Sequence, residues 1–285
     1  MPALYITLGI LGGLLLLLIL FYLIATKPRL SRKKDIRYFA TYKYAHRGLH
    51  GDGVAENSPT AFRLAAEAGF GIELDVRLTK DGEAVVFHDA TLDRVTALSG
   101  KVIDFESTEL KKVKLSDTED TIPLLSEVLS LVAGRVPILV ELKEEPGNRG
   151  VAKVALEILS GYGGEYIIES FNPLTLGDIR KANPDILTGI LSTNYLKEEK
   201  YRKPLYFAVQ TFLTNILCRP DFVSFNAAES RLLCFRLFRR LFGVCSFAWT
   251  VTSKEEENAA FSHRFDTVIF EGYNTENRNG KKDEI

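Results

Sequence analysis

The chain is poor in the residues that build disulfide frameworks and thiol or zinc centres. Its 285 residues include three cysteines, one methionine, one tryptophan and four histidines. Cys218, Cys234 and Cys245 are too few and too scattered for a disulfide framework or a zinc site and are expected to be reduced, structural thiols. An excess of one charge is also missing. Lys plus Arg number 36 against 37 Asp plus Glu, a formal −1, so no global basic field points to a nucleic-acid partner. Internal repeats and a glycine-rich phosphate loop after the first candidate strand are absent as well. Hydrophobic residues make up 46% and charged residues 26%, which excludes a disordered chain because there is ample apolar surface to bury.

The charge is unevenly placed. Residues 3–26 carry none, and 14–20 are leucine throughout except Ile19. These 24 residues exceed the roughly 20 that span a bilayer as a helix. Directly after them come Lys27, Arg29, Arg32, Lys33, Lys34 and Arg37, opposed only by Asp35. Setting this collar aside leaves 30 basic and 36 acidic residues, a formal −6 on the remainder. A cleavable signal peptide needs a basic start, a shorter apolar core and a small-residue cleavage site, and none of these is present. A buried core helix rarely has leucine on every face. Residues 1–26 are therefore expected to be a single membrane anchor and 27–40 a basic juxtamembrane linker. The collar lies C-terminal to the span, which by the positive-inside rule places the large domain in the cytoplasm. A domain on the outer side is the alternative.

Beyond the collar, short apolar runs alternate with helical ones. Strands are expected over 43–47, 72–77, 84–88, 138–143, 166–171, 186–191, 222–225, 246–251 and 268–271. Helices are expected over 59–68, 124–133, 151–162, 173–182, 229–242 and 254–263. Strands separated by helices imply parallel βα units, and a closed (β/α)8 barrel over 41–285 fits best. A doubly wound open sheet is the alternative. Nine candidates for eight places is one too many. The surplus falls around Asp81-Gly82, a tight-turn dipeptide that leaves no room for a crossover helix. Residues 90–122 form an insertion longer than a barrel loop requires.

Polar residues embedded in the apolar strands carry the functional signal. Glu73 and Asp75 stand two apart in I-E-L-D-V, so both leave the same face of a strand. Glu141 and Lys143 repeat that spacing, while His46-Arg47 and His88-Asp89 end two other strands. Oxygen ligands without cysteine suit a hard divalent cation, Mg2+ or Ca2+. Each residue has a plainer reading: a structural histidine, a single Glu141–Lys143 ion pair, or, for Glu56-Asn57-Ser58-Pro59, ordinary helix-start chemistry with Ser58 as N-cap. Together, however, so many buried strand-end polar groups are costly without a shared purpose.

The ordered series Y-A-H-R-G (44–48), E-N-S-P-T-A-F (56–62), G-I-E-L-D-V-R-L-T-K-D-G (71–82), V-V-F-H-D (85–89) and V-E-L-K (140–143) resembles the glycerophosphodiester phosphodiesterase family. Weaker similarity continues through Ser170-Phe171 and Trp249-Thr250-Val251. The resemblance implies a barrel, a divalent metal and hydrolysis of glycerophosphodiesters to glycerol 3-phosphate and an alcohol. It implies Glu73, Asp75 and Glu141 as metal ligands, His46 and His88 as the acid/base pair, and Arg47 and Lys143 as phosphate-holding groups. Residues 90–122 match the small subdomain that caps the site. The implied nucleophile is the substrate's own glycerol hydroxyl, giving a cyclic phosphate that water then opens, which accounts for the lack of an evident serine or cysteine nucleophile. The chain departs from the family pattern with Glu271 and Tyr273 where many relatives have Thr-Asp, and with Glu169 where many have serine. Phe171, Trp249 and Glu271 are candidate substrate-pocket residues.

Residues 231–242 place Arg236, Arg239 and Arg240 on one side of a helix and Phe235, Leu237, Phe238, Leu241 and Phe242 on a broad opposite arc, which also takes in Arg231. A barrel helix or an interfacial helix on anionic lipid both fit. The expected partners are a glycerophosphodiester or lysophospholipid substrate and membrane lipid, with no nucleic acid and no protein partner indicated. Lysophospholipase D-type activity and a catalytically silent membrane-bound domain remain as alternatives. A cyclising phospholipase is disfavoured because it should lack the paired E-L-D and E-L-K strands.

Overall fold

The computed structural model describes residues 2–145 and 150–276; residues 277–285 of the expected domain lie outside the described residues. The strands are β1 (Tyr44–Ala45), β2 (Gly71–Leu78), β3 (Ala84–Val86), β4 (Ile138–Leu142), β5 (Tyr166–Ser170), β6 (Thr188–Ser192), β7 (Phe222–Asn226), β8 (Cys245–Val251) and β9 (Thr267–Phe270). The helices are α1 (Pro2–Thr26), α2 (Lys33–Phe39), α3 (Pro59–Glu67), α4 (Ser107–Leu110), α5 (Leu125–Val132), α6 (Val151–Leu159), α7 (Pro173–Ala182), α8 (Pro204–Gln210), α9 (Asn215–Cys218), α10 (Leu233–Phe242) and α11 (Lys254–Ser262).

The sheet runs β1-β9-β8-β7-β6-β5-β4-β2-β3, and β1 also pairs with β2. Among the described residues this closes eight parallel strands into a barrel and leaves β3 outside it. Residue β3 Val86 lies opposite Val76 in an antiparallel hairpin, so the surplus strand is the one after Asp81-Gly82. Gly82 takes φ +81°, a left-handed conformation that glycine adopts without strain. Ser58 caps α3 by accepting from the Ala61 amide at 3.1 Å, with Pro59 at the first helical position.

Side chains divide by strand period. Ile72, Leu74 and Val76 of β2 point outward into the layer beneath the helices. Tyr44, Leu139, Ile167, Phe222, Phe247 and Ile269 point inward and fill the floor of the barrel at its strand starts. Helix α2 closes that floor with Ile36 and Phe39, and the Tyr44 hydroxyl donates to the Phe39 carbonyl at 3.0 Å. The collar is therefore folded onto the barrel. Arg29 pairs with buried Asp221 through Nε–Oδ1 at 2.6 Å and Nη2–Oδ2 at 2.8 Å.

Residues 90–122 have a small core of their own, in which Leu92, Val102, Leu110, Leu115 and Ile122 pack on Val85 and Phe87. In α10, Phe235 and Phe238 are buried, stacked on Phe225 at 3.9 Å and Phe212 at 4.3 Å. It is a barrel helix, with Leu233, Leu237 and Leu241 exposed on its outer side. The three cysteines are free. Leu4–Thr26 is long and apolar enough to cross a membrane, and its leucines face outward, which rules out a core helix.

Candidate active site

The open end of the barrel gathers the strand-end polar groups. The parallel register of β2 and β4 sets Asp75 opposite Glu141, and that of β4 and β5 sets Glu141 opposite Glu169. Glu73, Asp75 and Glu141 each bring a carboxylate oxygen within 4.8 Å of the others, and all three are buried. Burial and the neighbouring carboxylates push Glu73 well above the ordinary carboxyl value. Burial also raises Glu141 to about 7, although Lys143 opposes it. Burial acts on Asp75 in the same direction, but Lys143, His88, Arg47 and His46 outweigh it and hold this carboxyl far below the usual range.

The donors fit a hard divalent cation. They are carboxylates without sulfur, and Asp75 Oδ1 is buried without a hydrogen bond, with Lys143 Nζ 3.1 Å away. Two buried glutamates that resist ionisation where they stand would be relieved by a positive ion between them.

Around this cluster the chain places its cations. Lys143 Nζ also donates to Glu141 Oε1 at 2.7 Å. Arg47, at φ +53°, donates its amide to Glu73 Oε2 at 2.9 Å and keeps Nε 3.5 Å from Asp75. Its Nη1 donates to Glu56 at 2.8 Å, and Glu56 in turn takes two bonds from Arg94 of the insertion. Asn57 Nδ2 donates to Asp75 Oδ2 at 2.8 Å.

The two histidines share one arrangement. His46 Nδ1 lies 2.6 Å from Glu271 Oε2, and its Nε2 lies 4.0 Å from Glu73. His88 Nδ1 lies 2.6 Å from Asp89 Oδ1. In each ring a carboxylate occupies Nδ1 and leaves Nε2 for a reacting group. Burial lowers the His88 pKa, against the attraction of Asp75. The bond from His46, with His50 Nε2 3.5 Å away, holds Glu271 well below the usual carboxyl range.

The barrel thus brings seven expected residues to one place: His46, Arg47, Glu73, Asp75, His88, Glu141 and Lys143. Phe171 and Trp249 meet edge-on at 5.6 Å and line a neighbouring cavity of about 850 Å3. Glu271, the third of these candidates, lies at His46, because β9 is the ring neighbour of β1 and brings its end beside that histidine. Five further residues take part. Glu56 and Asn57 read as helix-start chemistry, Asp89 stands in the strand-end pair with His88 without a role of its own, Arg94 sits in the insertion, and His50 carries no motif. The family-like E-N-S-P string was the only signal for the first two. Glu169 is buried, accepts from the Ser224 hydroxyl and is pushed to about 8 by burial.

Residues 46–271 match the Glycerophosphoryl diester phosphodiesterase family. A glycerophosphodiester phosphodiesterase of Caldanaerobacter subterraneus subsp. tengcongensis is 33% identical over 243 residues, spanning 80% of this chain and 93% of that one. A lysophospholipase D of Rattus norvegicus is 31% identical over 178 residues, 58% of this chain and 54% of that protein. Among solved structures, a glycerophosphodiester phosphodiesterase of Thermotoga maritima aligns with TM-score 0.63 at 31% identity over 80% of this chain and 94% of that one. A phosphodiesterase of Oleispira antarctica, solved with the product sn-glycerol-3-phosphate, aligns with TM-score 0.67 and 92% of its length covering 80% of this chain; at 20% identity it shows a shared fold. With the match running from the first strand-end histidine to the last strand-end glutamate, the chain belongs to the glycerophosphoryl diester phosphodiesterase family of phosphoric diester hydrolases.

Proposed function

We propose that the protein is a membrane-anchored, divalent-cation-dependent phosphodiesterase that releases glycerol 3-phosphate from glycerophosphodiesters. The observation that carries this reading is the buried Glu73–Asp75–Glu141 cluster bordered by two histidines, each with Nδ1 held by a carboxylate. These three residues would hold the cation, Mg2+ or Ca2+, which when bound supplies Lewis-acid stabilisation of charge on a phosphate oxygen.

The chain's own groups do the rest. Nε2 of one histidine takes the proton of the attacking glycerol hydroxyl, and Nε2 of the other, protonated, gives one to the leaving alkoxide. Water then opens the cyclic phosphate so formed, with the two histidines exchanging roles, to leave glycerol 3-phosphate. Glu271 and Asp89 fix the tautomers and steady each imidazolium as it forms. Arg47 and Lys143 bring positive charge to the developing dianion, and Glu56 and Arg94 brace Arg47 from the insertion at 90–122. The catalytic unit is proposed over 41–285, resting on a floor closed by α2 of the collar, with residues 1–26 as a retained anchor rather than a cleaved leader. The collar after the span supports a cytoplasmic barrel.

The test is release of glycerol 3-phosphate from glycerophosphocholine by detergent-solubilised protein with Mg2+, Ca2+ or EDTA. Release that needs a cation and is lost in Glu141→Gln and His46→Ala supports the reading. Release that persists in EDTA, or in His46→Ala, overturns it. A lysophospholipase D-type reaction on the same scaffold is favoured by the apolar cavity beside the site and by the apolar span.

A further inference from the structure

Resting on that phosphodiesterase reading, we infer that the cavity beside the carboxylates is an acyl-chain site that opens toward the bilayer, so that the substrate is a single-chain glycerophospholipid taken from the membrane.

The cavity begins at the reacting end. Phe171 and Trp249 stand at the ends of β5 and β8, and Tyr195, which follows β6, lines the cavity with them. From there it runs between the start of α7 and the β6–β7 connection, past Leu174, Val209 and Leu217 to Leu205. Its volume of about 850 Å3 suits a drug-sized or lipid-sized ligand. Uncovered apolar side chains stand at its outer rim, Leu205 65% exposed and Leu217 50%, with Phe207 nearby at 52%, alongside the charged Lys197 and Glu198. Large apolar side chains left uncovered together beside a cavity mark an interaction surface.

The anchor supplies the reason for assigning a lipid to it. The last turns of α1 lie against the same connection. Tyr22 donates to the Thr211 carbonyl at 3.2 Å, Asn215 donates to the Thr26 carbonyl at 3.0 Å, and Arg219 donates to the Ile24 carbonyl at 3.0 Å. Arg29 then reaches Asp221 at the barrel floor, where β7 begins. From residue 29 back to 22, the contacts climb from the floor toward the open end. Residues 4–21 extend the same line by about 27 Å at 1.5 Å per residue, close to the roughly 30 Å thickness of a bilayer core. A span leaving on this side sets Leu205 and Phe207 at the membrane surface. The open end of the barrel faces the lipid, and a single acyl chain reaches Trp249 without crossing water, while the phosphodiester rests on the Arg47–Lys143 side.

The chain's one tryptophan makes the test direct. Full-length protein in phosphatidylcholine nanodiscs is titrated with lysophosphatidylglycerol carrying a brominated acyl chain. Trp249 fluorescence should be quenched, and Leu205→Glu with Leu217→Glu, both exposed positions, should abolish that quenching. In parallel, short-chain lysophosphatidylglycerols are kept monomeric in water, so that each methylene entering the groove leaves water. Their kcat/KM should rise about fourfold per added methylene until the groove is filled, and the double variant should flatten that rise relative to glycerophosphocholine. Absence of quenching, or a rate independent of chain length while glycerophosphocholine is still hydrolysed, overturns the acyl site and leaves the phosphodiesterase reading standing. Quenching without hydrolysis of any substrate keeps the lipid site and overturns the enzymatic reading. Equal quenching by the brominated chain in the double variant overturns the assigned entrance.

Discussion

Replacing Arg29 by alanine separates a tethered barrel from one into which the collar is built. Asp221 is fully buried and takes two bonds from Arg29, at 2.6 and 2.8 Å. Removing one partner of a buried pair costs about 3–5 kcal/mol when the other charge is left alone. Asp221 is not left alone, because Arg180 Nη2 remains at 3.2 Å and the Thr188 amide at 2.9 Å. The expected loss is therefore about 2 kcal/mol. For a barrel of this size that lowers the unfolding midpoint by about 4–8 °C. Scanning calorimetry of the detergent-solubilised chain measures it, with Lys27→Ala as a collar control expected within about 1 °C. Arg29→Lys should recover only part of the loss, since an ammonium does not reproduce the forked pair. An Arg29→Ala midpoint within 1 °C of wild type refutes the idea that the collar is structural.

Three further outcomes follow from the same geometry. His46→Ala and His88→Ala should each lower kcat by about 10²–10⁴-fold with an unchanged circular dichroism spectrum; a loss under threefold in either removes that residue from proton transfer. Gly189→Ala would bring a Cβ within 2.2 Å of the Phe222 ring on the barrel floor, so the variant should lose about 1–3 kcal/mol in denaturant titration, and no change would mean that the floor is looser than described. Burial acts to raise the Glu257 carboxyl, yet bonds from Lys254, Thr275, Lys43 and Tyr273 bring it down to about 2. A folded-state value below the unfolded one gives stability that is complete above about pH 4.5 and is lost as pH falls toward 2. Between pH 5 and 3 wild type should lose stability more steeply than Glu257→Gln, and parallel profiles would remove this link.

What sequence alone determined follows from local geometry. Alternation in I-E-L-D-V puts Glu73 and Asp75 on one face whatever the strand pairs with, and the charge-free run at 3–26 has its apolar character before any fold forms. The tight Asp81-Gly82 turn forbids a crossover helix, so one strand had to lie outside the ring, although only the observed pairing identifies it as β3. Ser58 caps its helix as its position requires. The rest depends on partners far along the chain. Asn57 reads as part of a helix start until the packing of α3 against β2 brings it to Asp75. Glu271 reads only as a strand-end carboxylate until β9 closes the ring beside β1 and sets it against His46. Arg29 looks like membrane-facing charge until Asp221, 192 positions away, proves to be its partner. Strand period and turn chemistry act over a few residues and can be read from sequence. Which buried charge meets which is set by ring closure and register, where the cost of an unpaired ion in the interior selects the arrangement, and only the tertiary structure decides it.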